Sequence, residues 1–191
     1  MLSSLNKRIA YPIGVAITSA TFLTTRSFSE SKKASPIADQ VVLITGATAG
    51  IGEACAKRLA THNVKLVLLG RREDRLKALK NELLKANPSL RIHTVALSVT
   101  DLDAVAKLPS TLPKEFADVD ILINNAGLAL GVSSVENNSV SDAQNVINTN
   151  VTGLIALSSA FLPGMKKRNR GHLVNMGSVA GHYAYATGTG I

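Results

Sequence analysis

From Gln40 onward, short apolar runs alternate with amphipathic stretches. VVLIT (41–45), VKLVLLG (64–70), IHTVAL (92–97), VDILIN (119–124) and HLVNM (172–176) are each about strand length and consist mostly of Val, Ile or Leu. Their apolar positions are nearly continuous, the pattern of strands covered on both faces. Between them, residues 51–61 and 73–86 place apolar side chains at helical spacing, as at Leu76, Leu79, Leu83 and Leu84. A weaker helical segment starts at Asp101, and a long one runs from Ser141 toward Lys167, with Asp142 in its first turn and Pro163-Gly164 near its end. Strand-helix-strand repetition of this kind predicts an α/β fold, a doubly wound, Rossmann-like parallel sheet. Residues 128–141 read as a polar loop, 177–191 carry no apolar period, and neither a fixed-period repeat nor a second folded domain is visible.

Composition supports this reading. The chain has 191 residues and is 46% hydrophobic, enough for one ordinary globular core. The net charge of +8 suggests nucleic acid only until it is located. Residues 1–33 hold five cations (Lys7, Arg8, Arg26, Lys32, Lys33) against the single acid Glu30, and so carry half of that excess. The one dense basic cluster elsewhere, KKRNR (166–170), falls where a helix should end, a place that favours cations through the helix dipole. It has no interleaved aromatic residues, so a solvated helix terminus is expected and no nucleic-acid partner.

The first 33 residues form a separate unit: no acid before Glu30, many Ser and Thr, and Arg26 shortly before SFSE. That is the composition of an organellar targeting segment, and mitochondrial import is expected. A secretory signal or anchor is the alternative, since Lys7 and Arg8 precede an apolar stretch; a plain tail on a cytoplasmic protein is the third. No membrane span is expected. The run Ile9–Leu23 is broken by Pro12, Gly14, Thr18, Ser19 and Thr21 and is shorter than the roughly 20 residues a span needs. The expected organisation is a targeting segment at 1–33 and a nucleotide-binding domain at 34–191. Cys55 is the only cysteine, which rules out an intrachain disulfide, and His62, His93, His172 and His182 lack ligand spacing, so no metal site is expected.

The candidate chemistry begins at VVLITGATAGIGEACAKRLA, which sets Gly46, Gly50 and Gly52 between the first strand and its helix. The unpaired N–H groups at a helix start bind phosphate where the backbone can come close. Gly46 allows the tight turn, Gly50 removes a side chain that would block a pyrophosphate, and Gly52 lets the helix pack on the sheet. At the end of the second strand a dinucleotide fold chooses between a ribose 2′-hydroxyl, which an acid would bind, and a 2′-phosphate, which an acid would repel. Here LLGRRED offers Arg71 and Arg72 and no acid before Glu73. Guanidinium pairs well with phosphate, so NADP is the expected cofactor rather than NAD.

TGATAGIG (45–52), NNAG (124–127), NTNVTG (148–153) and NMGSVAG (175–181), in this order and at these separations, resemble the short-chain dehydrogenase/reductases from about Val41 to the last residue. Within that family, GRRED and NNAGLALG are similar to fungal NADP-dependent 3-hydroxy acid dehydrogenases, including those acting on serine or allo-threonine. The resemblance implies an NADP-dependent oxidoreductase acting on a small hydroxy acid, hydroxy amino acid or ketone, homo-oligomeric at full length. It also implies that Thr48, Ala49 and Ile51 line the phosphate loop and that Asn125, Ala126 and Gly127 line the nicotinamide side. Asn150 would hold a water in the proton relay, and Ser178 would hydrogen-bond the substrate oxygen. Read singly, these positions have plainer roles: Asn124 and Asn125 as turn residues, Asn150 as a polar residue inside a helix, Ser178 as a cap. The family usually carries an acid near the end of the third strand to contact the adenine amino group. Here ALSVTD offers Ser98, with Val99 main-chain contacts beside it.

The family's proton donor is a tyrosine about 13 residues after the serine, followed four residues later by a lysine that lowers the phenol pKa from about 10. Counting from Ser178 reaches Ile191. Tyr183 and Tyr185 are followed at that spacing by Thr187 and Thr189, and no lysine occurs after Lys167. The expectation is therefore a sheet incomplete on its C-terminal side, an exposed edge at HLVNM, and a chain without turnover. The competing function of a different class is a non-catalytic nucleotide-binding or interaction fragment.

Overall fold

The computed structural model describes residues 36–130 and 134–181, all within the compact unit Ala34–Ile191. The proposed targeting segment, Tyr183 and Tyr185 lie outside the described residues. Five strands, β1 (Val41–Thr45), β2 (Lys65–Gly70), β3 (Arg91–Ala96), β4 (Val119–Asn124) and β5 (His172–Asn175), form one sheet in the order β3-β2-β1-β4-β5. Every pairing is parallel. The helices are α1 (Gly50–Leu59), α2 (Glu73–Ala86), α3 (Leu102–Thr111), α4 (Val140–Ile147) and α5 (Leu154–Lys167).

Strand alternation divides the core into two layers. Val41, Leu43, Val67 and Leu69 point to the face covered by α3 and α5, where Val105, Leu108, Leu157, Phe161 and Met165 pack on them. Val42, Ile44, Leu66 and Leu68 point to the opposite face, against Ala56, Leu76, Leu79 and Leu83 of α1 and α2. Central strands buried on both sides need apolar residues at every position, which is why their sequences lack a period of two. The β4 register slips by one residue between Val119 and Ile121, leaving Asp120 as a bulge. Its carboxylate accepts the Val41 N–H at 3.0 Å and pairs with Arg170 Nε at 2.8 Å. Arg168 reaches Asp118 at 3.0 Å and donates to the Val119 carbonyl at 2.8 Å. Two arginines of the basic cluster thus fasten the end of α5 to the start of β4, a more specific role than a solvated terminus.

Element boundaries agree with the sequence pattern to within a residue or two. The segment 128–141, read as a polar loop, holds a 3₁₀ turn at Val135–Asn137 and the start of the long helix at Val140, where the Ser139 hydroxyl accepts the Asp142 N–H at 3.3 Å as its cap. That helix is not uniform: Asn148–Gly153 form a π-helical turn joining α4 to α5. Together Val140–Lys167 are long and apolar enough, by length and composition, to cross a membrane. One face of α5 nevertheless lies in the sheet core through Leu157, Phe161 and Met165, as a helix of a doubly wound fold does. Among the described residues β5 pairs only with β4, and its side chains are half-buried or exposed.

Candidate functional site

The C-terminal ends of β1 to β4 open into a cleft of about 660 Å³. In an open parallel sheet this is where the chain reverses direction between helical layers and leaves a crevice. The loop after β1 supplies Gly46, Thr48, Ala49 and Ile51 to its wall, β2 supplies Gly70 with Arg71 and Arg72, and the β3 end supplies Ser98 and Val99. Asn125, Ala126 and Gly127 close the other side. Eleven of the residues singled out by motif are therefore brought together. Gly50, Gly52, Asn150 and Ser178 are not among the lining residues.

The glycine loop is shaped by close approach. A Cβ on Gly46, whose φ is +65°, would lie 2.9 Å from the Ala126 Cα, and one on Gly52 would lie 2.4 Å from the Gly46 carbonyl oxygen. Gly52 thus acts beneath the cleft, by letting α1 sit against the β1 and β4 ends. Ala49 precedes α1 in extended conformation without a side-chain cap, so the first N–H groups of α1 have no side-chain partner. A Cβ on Gly50 would meet nothing within 4 Å. Such a start, without a side-chain cap and with open space at Gly50, fits an anionic diphosphate.

Thr45 ties the loop to the sheet. Its hydroxyl, on a residue 1% exposed, accepts the N–H groups of Asn125 at 2.9 Å and Ala126 at 2.8 Å. The Asn125 carboxamide returns the contact by donating to the Thr45 carbonyl at 2.9 Å. Motif reasoning did not assign Thr45 a role. The available signal was a lone hydroxyl ending an otherwise apolar strand. Thr45→Val keeps the shape but leaves two N–H groups without an acceptor, and it should lower stability by about 2–4 kcal/mol, read from the urea midpoint. Asn124, also buried, donates to the Ser158 hydroxyl at 3.0 Å and to Asn175 at 2.9 Å, tying β4 to α5 and β5.

At the β2 end, Arg72 turns back over the glycine loop, and its guanidinium donates to the Thr48 hydroxyl at 2.8 Å. Gly70 makes room for this contact, since a Cβ there would stand 2.9 Å from the Thr48 methyl group. Arg71 is exposed on the same wall. At the β3 end the Ser98 and Thr100 hydroxyls lie 2.8 Å apart, and the Thr100 N–H donates to Ser98 Oγ at 3.3 Å.

Asn150 sits in the π-helical turn with both ends of its carboxamide engaged. Its Oδ1 accepts the Leu128 N–H at 2.9 Å and its Nδ2 donates to the Leu128 carbonyl at 2.8 Å. The side chain therefore shapes the chain leaving Gly127, and each end of the carboxamide keeps one further hydrogen-bonding position. Ser178 is exposed, and its Oγ accepts the Ala180 N–H at 3.1 Å, the cap geometry of a short 3₁₀ turn at Val179–Gly181. Asn145 and Thr149, one helical turn apart, also line the cleft, as do Thr100, Leu128 and Leu130. Asn145 belongs to no motif, and Thr149 lies in NTNVTG without an assigned role; α4 brings the first to the cleft and the π-helical turn the second.

A family model described as short chain dehydrogenase matches residues 40–190. The chain belongs to the short-chain dehydrogenase family. Among its relatives, an NADP-dependent 3-hydroxy acid dehydrogenase of Salmonella typhi is 45% identical over 148 residues, covering 78% of this chain and 58% of that protein. A protein of the same description from Schizosaccharomyces pombe is 40% identical over 151 residues, covering 78% and 58%. A solved closed form of serine dehydrogenase complexed with NADP⁺ superposes with a TM-score of 0.71 at 44% identity, covering 77% of this chain and 57% of that one. This short-chain dehydrogenase chain thus spans a little over half the length of the curated relatives it matches.

Proposed function

We propose that this chain binds NADP(H) in the cleft, and that the protein transfers hydride between that cofactor and a small hydroxy acid, hydroxy amino acid or the corresponding ketone. The observation that carries the reading is the β2 end, where two guanidinium groups and no acid line the wall and Arg72 lies on the glycine loop. A ribose 2′-phosphate there would meet two cations, whereas a free hydroxyl would find no carboxylate to accept its proton. Relatives described as NADP-dependent 3-hydroxy acid dehydrogenases support the cofactor and the substrate class.

When bound, the nicotinamide supplies or accepts the hydride. The chain's own residues do the rest by position. The α1 start and the glycine loop receive the diphosphate, Arg71 and Arg72 the 2′-phosphate, and the small residues Ala126 and Gly127 leave room on the far wall. Asn150 braces that wall through Leu128. Ser178 already accepts one N–H and keeps its hydroxyl proton free to donate to a substrate oxygen. Exposed Ile147, Val151, Ile155 and Leu162, on α4, the π-helical turn and α5, support self-association of the protein.

A test should read binding, which depends on the cleft, rather than turnover, which also needs a proton donor. In a fluorescence titration NADPH should bind at least ~10-fold more tightly than NADH, the effect of one or two charge-assisted hydrogen bonds. Equal affinity for the two would reject the reading.

A further inference from the structure

We infer that Asn175 is a positioning residue: held by a buried chain of hydrogen bonds from α5, it fixes the end of β5 and so sets where Ser178 presents its hydroxyl to the substrate. This rests on the proposed role of Ser178. It gives a use to Asn175, which stands in NMGSVAG without one, and to Ser158, which stands in no motif.

The turn that carries Ser178 does not place itself. Ser178 Oγ accepts the Ala180 N–H at 3.1 Å and its carbonyl accepts the Gly181 N–H at 3.1 Å. Both bonds lie inside residues 178–181, so they shape the turn without tying it to the sheet. Gly177, the joint before it, is exposed, and a Cβ there would meet nothing within 4 Å. Among the described residues, the last hydrogen bonds joining this part of the chain to another element are those of Asn175 and Met176. The Met176 N–H donates to the Asn124 carbonyl at 3.0 Å, and Asn175 Oδ1 accepts from Asn124 Nδ2 at 2.9 Å. β5 is four residues long with half-buried or exposed side chains, so packing alone does little to hold its end.

Asn124 is the fixed point. It is buried, pairs with Asn175 in register, and commits both amide protons, one to Asn175 and the other to the Ser158 hydroxyl at 3.0 Å. Ser158 in turn donates to the Leu154 carbonyl at 2.8 Å, which anchors the series in α5. With both protons placed, the plane of the carboxamide is set, and with it the position of Asn175 Oδ1. Asn124 Oδ1, by contrast, is buried without a partner among the described residues. An unpaired buried acceptor lowers stability, and an apolar side chain of the same shape would avoid that loss. The carboxamide therefore serves placement more than stability. A hydrogen bond from Ser178 to a substrate oxygen weakens steeply once its distance or angle is wrong, so the placement of β5 is felt at the substrate.

The test titrates 3-hydroxypropionate by calorimetry into the full chain saturated with NADP⁺, for the parent, Asn175→Ala, Ser178→Ala and the double variant. Ser178→Ala should weaken the hydroxy acid about 5–10-fold, the loss of one hydrogen bond, and Asn175→Ala should weaken it about as much. Because the two act through one contact, the double variant should bind no more than about 2-fold more weakly than Ser178→Ala. Ser158→Ala, which releases Asn124 at its other end, should cause a loss of about 2–3-fold, at the low end for one hydrogen bond. NADP⁺ affinity should stay the same throughout, since neither Asn175 nor Ser178 lines the cleft. Losses that multiply in the double variant would show Asn175 acting independently of Ser178. That result, or an Asn175→Ala chain that binds the hydroxy acid like the parent, would overturn the inference and leave the functional reading standing. A parent that binds NADP⁺ but not 3-hydroxypropionate would overturn the inference together with the hydroxy acid substrate, and one that binds neither would overturn the whole reading.

Discussion

Replacing Arg71 and Arg72 together with alanine is expected to weaken NADPH binding by about 100-fold or more while changing NADH binding far less. Each guanidinium can make a charge-assisted bond to a 2′-phosphate, at roughly 1.5–3 kcal/mol apiece, and two such bonds correspond to about two to four decades of affinity. NADH has no group to lose there. The single variants should differ in kind. Arg71 makes no hydrogen bond or ion pair among the described residues, so Arg71→Ala should act on NADPH alone. Arg72 also holds the Thr48 hydroxyl, so Arg72→Ala should loosen the glycine loop and weaken both cofactors. Arg72→Lys keeps the charge but not the planar fork, and should recover only part of the NADPH affinity. The measurement is a pair of titrations for each variant at fixed ionic strength. A double variant that retains the NADPH preference would place the phosphate elsewhere.

Gly52→Ala should be among the most damaging single changes to stability, lowering it by about 3 kcal/mol, at the upper end of overpacking effects. The added methyl would stand 2.4 Å from both the Gly46 carbonyl oxygen and the Asn125 carboxamide nitrogen. Neither neighbour can yield easily. Gly46 is held in a turn at positive φ, and Asn125 donates to the Thr45 carbonyl. Gly50→Ala is the informative contrast. Its methyl meets open space, so the stability penalty should be only the roughly 1–2 kcal/mol of placing an L-residue at φ +56°. The methyl would nevertheless obstruct the approach of the diphosphate, so the nucleotide affinity of Gly50→Ala should fall much further than its urea midpoint. Similar losses of stability and affinity in the two variants would show that the glycines are not divided between packing and binding.

How much of this could be read before the fold was known differs from residue to residue. The strands were legible because a strand buried on both faces must be apolar at consecutive positions, as VVLIT and VDILIN are. The α1 start was legible because three glycines between a strand and a helix have few other physical uses. The Arg pair was legible as charge chemistry at a known point in a parallel sheet. The π-helical turn at 148–153 was not, since it arises where Asn150 meets the Leu128 main chain and where Gly153 passes Val99, contacts between segments far apart in sequence. Thr45 was missed for the same reason: nothing local shows that its hydroxyl will meet two N–H groups about 80 residues away.

The amino-acid sequence by itself determined the kind of sheet, the order of its elements, the glycine-rich helix start and the sign of charge at the β2 end, because each follows from local periodicity, backbone freedom or side-chain charge. Only the tertiary structure decided which polar groups are already engaged. Asn150 is committed to Leu128, Ser178 accepts from its own turn, Arg168 and Arg170 fasten α5 to β4, and Ser98 shares a proton with Thr100. A hydrogen bond depends on distance and direction between groups that the fold brings together, and neither can be deduced from the separation of two residues along the chain.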